Sequence, residues 1–277
     1  MIIRINGKEC ACEKGEYLLK IAKRNGIFIP SLCYHEGLGD LGSLGGLGGQ
    51  RGPGGIGGIG GQRGIGACRV CIVEVVSGGK SQVVSSCIYP VEREIEVFTA
   101  SEKIKEQRGV VLTLLARLAP NAKTIQQMAN FMGADMPRLQ NKEDGDTCIL
   151  CGRCTTACEL IGTGAIAKIN RGTTKAIDTP YSAPSSECIG CASCAKVCPT
   201  DTIKFEQTET SITIWGKAFE YLPCSACGKP HITQEAFDFL REEHPETEQP
   251  LCEDCAKKAV AYQLKDAIKD LSPTRGY

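Results

Sequence analysis

Eighteen of the 277 residues are cysteine, and eight of these fall in two runs of identical spacing, Cys148-x2-Cys151-x2-Cys154-x3-Cys158 and Cys188-x2-Cys191-x2-Cys194-x3-Cys198. Pro199 follows the second run. Whether such thiols pair or bind metal depends on the compartment. The start, Met1 to Gly7, alternates like a strand and lacks the apolar stretch of about 7–15 residues that marks a secretory leader. The longest apolar stretch, Val110 to Ala119, is broken by Arg117 and falls short of the ~20 residues needed to cross a bilayer. A cytoplasmic chain is therefore expected, and patterned cysteines there serve as metal ligands rather than disulfides. Lys+Arg 32 balances Asp+Glu 32, which leaves no net field to attract nucleic acid or an anionic membrane.

The spacing of the two runs suits a pair of cubane clusters. Three thiolates of each run can wrap one cube while the fourth, displaced by an extra residue, reaches the other. The expected [4Fe–4S] ligand sets are Cys148, Cys151, Cys154 and Cys198, and Cys188, Cys191, Cys194 and Cys158. Gly152, Gly190, Ala192 and Ala195 are small enough to leave room for sulfide and for backbone N–H bonds to sulfur. Glu159 stands where a proline often follows the fourth cysteine, a departure that bears on potential more than on existence. Two zinc knuckles are the bland alternative.

Four further cysteines, Cys33, Cys68, Cys71 and Cys87, lie in a segment that reads as a small α+β unit. Strands are expected at 2–6, 9–13, 70–76, 82–85 and 94–98, with a helix at about 16–25 whose apolar face is Leu18, Leu19, Ile21 and Ala22. Three thiolates on loops and one beside a strand suit a [2Fe–2S] rhomb. Cys10 and Cys12, on the second strand, have no partner at ligand spacing and are expected to be buried or half-buried thiols. His35 is a possible substitute ligand beside Cys33, but four cysteines already suffice. After residue 100, Ser101 can cap a helix whose apolar stripe is Val110, Val111, Leu114, Leu115 and Leu118, and a second helix is expected at 123–132.

Ile29-Pro30-Ser31-Leu32-Cys33-Tyr34-His35-Glu36-Gly37-Leu38 and Gly66-Ala67-Cys68-Arg69-Val70-Cys71-Ile72-Val73-Glu74-Val75 resemble the N-terminal β-grasp ferredoxin domain of three groups. These are the large iron–sulfur subunit of complex I, the diaphorase iron–sulfur subunits of NAD-linked hydrogenases and formate dehydrogenases, and [FeFe] hydrogenases. The likeness covers roughly 1–36, 66–100 and 145–206. It departs at two places. Relatives commonly hold a cluster on one histidine and three cysteines between the two ferredoxin modules, whereas residues 88–147 contain neither residue type, so that cluster is not expected. The second departure is 37–66, where 16 of 30 residues are glycine and Gly recurs at every third position from Gly46 to Gly64. Seven triplets with one proline, Pro53, are too few and too proline-poor for a collagen helix. The run reads as a linker or as a polyproline-like segment packed by a partner subunit. Its Gly-x-Gly-x-x-Gly matches lack the strand, helix and acidic residue of a dinucleotide fold.

The tail adds Cys224-x2-Cys227 and Cys252-x2-Cys255, a four-thiolate set for a structural zinc or, alternatively, a third [4Fe–4S] cluster. Zinc would staple a tail too small to hold itself by its own core, and a helix from about Glu253 to Leu271 closes the chain. His231 and His244 are expected at the surface.

The expected architecture is α+β: a β-grasp [2Fe–2S] domain at 1–100 with the glycine-rich insertion 37–66, a helical linker at 101–140, a two-[4Fe–4S] ferredoxin domain at 141–210, and a metal-binding tail at 211–277. No substrate motif or catalytic dyad accompanies the cysteines, which points to a relay. The resemblance implies electron transfer between a flavin- and NAD-binding subunit and a hydrogenase or formate dehydrogenase subunit, or ferredoxin, in a complex that couples NAD(H), ferredoxin and hydrogen by electron bifurcation. A subunit of a formate dehydrogenase or NADH-quinone oxidoreductase is the runner-up. A redox sensor or scaffold is the reading from a different class, and the sequence offers no basic face to support it. With no further cysteines to hold a hydrogen-activating cluster, the chain is not expected to make hydrogen alone.

Overall fold

The structure is a computed structural model that describes residues 1–38, 64–134 and 147–270. Most of the glycine-rich insertion, residues 39–63, therefore lies outside the described residues. The chain divides into two compact units: Met1–Gly162 with Ile166–Asp178 and Ser193–Ile203, and Thr163–Ala165 with Thr179–Ala192 and Lys204–Tyr277.

The first unit is built on a five-stranded sheet of β1 (Ile2–Ile5), β2 (Lys8–Ala11), β3 (Ile72–Ser77), β4 (Lys80–Ser85) and β5 (Glu96–Phe98), in the order β2-β1-β5-β3-β4. β1 and β5 run parallel and the other pairs antiparallel. Alternation in β1 buries Ile3 and Ile5 and exposes Ile2 and Arg4, as a half-buried strand requires. Two-residue loops close both hairpins, Asn6-Gly7 between Ile5 and Lys8 and Gly78-Gly79 between Ser77 and Lys80, and all four residues have positive φ. That is the mirror-image turn whose twist matches the strands, and it explains why glycine stands there. α1 (Leu18–Arg24) buries Leu18, Leu19, Ile21 and Ala22 as expected. Cys10 and Cys12 are buried.

α2 (Glu102–Leu118) and α3 (Lys123–Phe131) follow. Here the expected stripe holds at Leu115 and, half-buried, at Val111, and fails at its other three residues. The structure buries Ile104, Arg108, Leu112, Leu115 and Ala116, and leaves Val110, Leu114 and Leu118 exposed. The buried set keeps helical spacing, i, i+4, i+8, i+11, but carries an arginine in its middle, which a count of apolar residues passes over. α4 (Arg153–Ile161), the hairpin of β6 (Ala167–Ile169) and β7 (Ala176–Asp178), and the short α5 (Ser193–Lys196) complete the unit.

The second unit has a four-stranded antiparallel sheet, β8 (Phe205–Gln207), β9 (Ser211–Ile214), β10 (Lys217–Pro223) and β11 (Pro230–Thr233), in the order β11-β10-β9-β8, with α6 (Gln234–Glu243) and α7 (Glu253–Asp270). Ile212, Ile214, Phe219 and Phe237 are buried together with Thr233, so the tail has a small core of its own, contrary to the expectation of a metal staple alone. Among the described residues no helix is long and apolar enough to cross a membrane.

The phase of α2 gives a direct test. Leu112→Ala should cost about 2–5 kcal/mol by the cavity it leaves, whereas Leu114→Ala should stay within about 0.5 kcal/mol. Urea unfolding of the two variants followed by far-ultraviolet circular dichroism measures both.

Candidate metal centres

None of the eighteen cysteines forms a disulfide. Cys33, Cys68, Cys71 and Cys87 are each at most 3% exposed. Cys33 lies just before a short helical turn, Cys68 and Cys71 on the loop entering β3, and Cys87 on the turn leaving β4. The thiols of Cys68 and Cys87 hydrogen-bond to Cys33 and hold it far below the ordinary thiol range, with help from backbone bonds to Cys68 and Ala67. Cys87 likewise pulls Cys71 down to about 7, and Cys68 and Cys87 are pushed up in return. Four thiols that compete for protons in this way are a donor set prepared for metal, since the ligand form is the thiolate. The backbone around them is fixed by buried Ser86, whose N–H and Oγ both donate to the Cys71 carbonyl at 3.1 and 2.8 Å, and by Gly64 N–H on the Cys87 carbonyl at 2.7 Å.

Two arginines also reach these loops. Arg108 donates from Nε to the Val70 carbonyl at 3.0 Å and from Nη2 to the carbonyls of Ile72 and Thr99 at 2.7 and 3.1 Å. Arg153 donates from Nη1 to the Leu32 carbonyl at 3.1 Å. Sequence reasoning missed both. For Arg108 the signal was present, since it is four residues from Ile104 and four from Leu112 on the buried face of α2.

The structure also brings together Cys148, Cys151, Cys154 and Cys198, all in the first unit, with Cys198 an electrostatic neighbour of the other three. Burial pushes Cys148 up, Cys151 to about 11 and Cys154 to about 12. Burial also acts to raise Cys198, but the N–H groups and hydroxyls of Thr200 and Thr202 together outweigh it and leave that thiol below its ordinary value. Amides turned toward sulfur recur around the set: Leu150 N–H to Cys148 and Thr202 N–H to Cys198, both at 3.4 Å. Such donors stabilise negative charge on sulfur.

Of the remaining set, Cys158 lies on α4 and Cys194 on α5 in the first unit, and Cys188 and Cys191 lie in the second. In the second unit, Thr233 Oγ1 donates to the Ile189 carbonyl at 2.5 Å and accepts from Ala236 N–H at 3.2 Å, tying the Cys188–Cys191 loop to the start of α6. Gly152 and Gly190 adopt positive φ, and a Cβ would stand 2.6 Å from Lys168 Nζ or from the Phe219 ring. Their smallness thus answers to backbone conformation and to neighbouring side chains.

The tail thiols Cys224, Cys227, Cys252 and Cys255 have their sulfurs all within 4.8 Å of one another. Cys227 and Cys252 sulfurs are 3.7 Å apart, and Cys252 N–H donates to Cys224 at 3.3 Å. That amide draws Cys224 down to about 6, while hydrogen bonds among the thiols push Cys255 up to about 12. Among the described residues it is the one Cys/His/Asp/Glu group this tight, and His231 is not part of it. His231 is half-buried, with an unpartnered Nδ1, rather than at the surface, and His244 lies 3.3 Å from Glu246.

Comparison with known proteins agrees with this geometry. Residues 3–94 match the 2Fe-2S iron-sulfur cluster binding domain and residues 142–205 the 4Fe-4S dicluster domain. The chain is therefore an iron–sulfur protein with a β-grasp [2Fe–2S] domain, a two-[4Fe–4S] domain and a four-cysteine tail. It is similar to the NADP-reducing hydrogenase subunit HndD of Solidesulfovibrio fructosivorans, 28% identical over 73% of this chain and 36% of the relative. It is also similar to the NADPH-Fe(3+) oxidoreductase subunit alpha of Geobacter sulfurreducens, 27% identical over 73% of this chain and 24% of the relative. The chain thus spans about a third or less of these relatives. In fold it resembles the crystal structure of an NAD+-reducing [NiFe]-hydrogenase in the H2-reduced state, with a TM-score of 0.53 at 20% identity over 73% of this chain and 85% of that one. It is thus similar to subunits of an NADP-reducing hydrogenase and an NADPH-Fe(3+) oxidoreductase.

Thr233 offers a test of how the Cys188–Cys191 loop is held. Thr233→Ala should destabilise the second unit by about 1–2 kcal/mol, through loss of a helix cap and a buried bond, and Thr233→Ser should restore most of it. Hydrogen exchange at the α6 amides measures the difference.

Proposed function

We propose that this chain is an electron-relay subunit of a cytoplasmic multi-subunit oxidoreductase, and that it carries single electrons between a flavin- and NAD-binding subunit and a hydrogenase subunit or ferredoxin. The observation that carries this reading is the gathering, in one compact unit, of two separate four-thiol sets, the buried Cys33/Cys68/Cys71/Cys87 and the partly buried Cys148/Cys151/Cys154/Cys198, with no disulfide between them. We assign the first set to a [2Fe–2S] cluster and the second to a [4Fe–4S] cluster. Cys188, Cys191, Cys194 and Cys158 are assigned to the other [4Fe–4S] cluster on the spacing of the sequence. When bound, such clusters exchange single electrons without making or breaking bonds to a substrate.

The protein's part is to hold and to insulate. Burial of Cys33, Cys68, Cys71 and Cys87 keeps water from their sulfurs, and the amides of Leu150 and Thr202 favour the thiolate at Cys148 and Cys198. We propose domain limits of 1–100, 101–140, 141–210 and 211–277. Resemblance to NADP-reducing hydrogenase and NADPH-Fe(3+) oxidoreductase subunits supports a nicotinamide-linked complex, and we place the chain in one that couples NAD(H), ferredoxin and hydrogen by bifurcation.

For the tail we propose zinc. A zinc–sulfur bond of about 2.3 Å places tetrahedral sulfurs about 3.8 Å apart, and Cys227 and Cys252 stand at 3.7 Å. Thiolates around a cubane must surround four irons and sulfides, which calls for a wider spread than a set whose sulfurs all lie within 4.8 Å. Cys224→Ser/Cys227→Ser should abolish bound zinc in elemental analysis and leave iron unchanged, whereas a loss of about four irons would mark a cluster there.

The relay itself is tested by anaerobic purification of the tagged chain from its native cell. Flavin should co-elute, and NADH or NADPH should bleach the visible absorbance of the chain's clusters. A chain that elutes alone and retains DNA or RNA would instead identify a sensor.

A further inference from the structure

Elsewhere in the first unit a buried charge has its partner. Glu16, 5% exposed, is held by Arg24 at 2.5 and 3.1 Å. Arg108 is equally buried, at 5% exposed, yet it meets only the carbonyls of Val70, Ile72 and Thr99. Among the described residues no carboxylate pairs with it. Arg153 repeats the pattern. It donates to the Leu32 carbonyl, its Nε is buried with no hydrogen-bond partner, and among the described residues no carboxylate pairs with it either.

A guanidinium stays protonated in proteins, so Arg108 brings a full positive charge into the interior and half-buried Arg153 brings one to its edge. Such a charge is costly unless something negative offsets it. Carbonyl dipoles solvate it only in part. The positions of the two side chains say where the anion is. Val70 and Ile72 flank Cys71, Leu32 precedes Cys33, and the electrostatic neighbours of the two guanidinium groups are Cys71 for Arg108 and Cys33, Cys151 and Cys198 for Arg153.

We propose that buried Arg108 and half-buried Arg153 are the counter-charges of the Cys33/Cys68/Cys71/Cys87 centre, positioning residues that fix its ligand loops and raise its reduction potential. The inference rests on the assignment of those cysteines to a [2Fe–2S] cluster. Four thiolates and two sulfides outweigh the charge of two ferric irons, so the oxidised centre is already an anion, and each electron accepted adds one negative charge. Fixed positive charge beside it therefore favours the reduced state more than the oxidised one. Arg153, a neighbour of Cys151 and Cys198 as well, acts on both four-thiol sets of its unit.

The test uses the full chain purified anaerobically with its metal centres, poised with dithionite across a range of potentials and followed by electron paramagnetic resonance of the reduced [2Fe–2S] signal. Arg108→Gln and Arg153→Gln should each shift the one-electron equilibrium at least tenfold toward the oxidised form, a lowering of about 59 mV for a one-electron couple. Arg108→Lys, which keeps the charge and loses the fork of hydrogen bonds, should shift it by less than half as much. A parent signal whose midpoint is the same in both Gln variants would overturn the proposal and leave the arginines as clamps alone. Absence of any [2Fe–2S] signal from the parent chain would instead overturn the assignment beneath it. Should Arg108→Gln fail to accumulate, Arg153→Gln decides on the same criterion.

Discussion

Thiolates repel one another, and burial raises the cost of each, so a chain that packs four cysteines out of water must supply compensating charge from its own groups. Much of the first unit is arranged around that requirement. Ser86 fixes the Cys71 carbonyl, backbone bonds from Ala67 and Cys68 act on Cys33, and amides of Leu150 and Thr202 face Cys148 and Cys198. The β-grasp sheet provides the rigid frame from which these loops project. α2 is more than a spacer between modules, because it delivers Arg108 to the carbonyls on either side of Cys71.

The tail solves a different problem. Its four sulfurs are close enough for a single ion, and the donor set offers no oxygen or open position that would mark a reactive metal. Its sheet and α6 have a small core in Ile212, Ile214, Phe219 and Phe237, so a metal bound there would add to packing rather than replace it. Within the same unit Thr233 links α6 to the loop that carries Cys188 and Cys191, which couples the order of that candidate ligand loop to that of the tail fold.

Much of this was legible in the sequence where a local rule acts alone. Gly78-Gly79 announced the β3–β4 turn, alternation announced β1, and the fixed spacing of Cys148 to Cys158 and Cys188 to Cys198 announced a dicluster domain. What stayed hidden depends on tertiary context. Arg108 sits on the buried face of α2, so a reading by apolar residues chose Val110, Leu114 and Leu118, which the structure exposes. The β8–β11 sheet escaped because its tight turn is Trp215-Gly216, with Trp215 at a positive φ that tryptophan seldom adopts, so no familiar turn pair separates β9 from β10. Thr233 and Ser86 are small polar residues whose importance comes only from the carbonyl each one meets.

The presence of three iron–sulfur clusters in this chain is tested most directly by iron and acid-labile sulfide, determined together on anaerobically purified protein. One [2Fe–2S] and two [4Fe–4S] centres give about ten of each per chain. Fewer than about eight irons, or iron without matching sulfide, would contradict it.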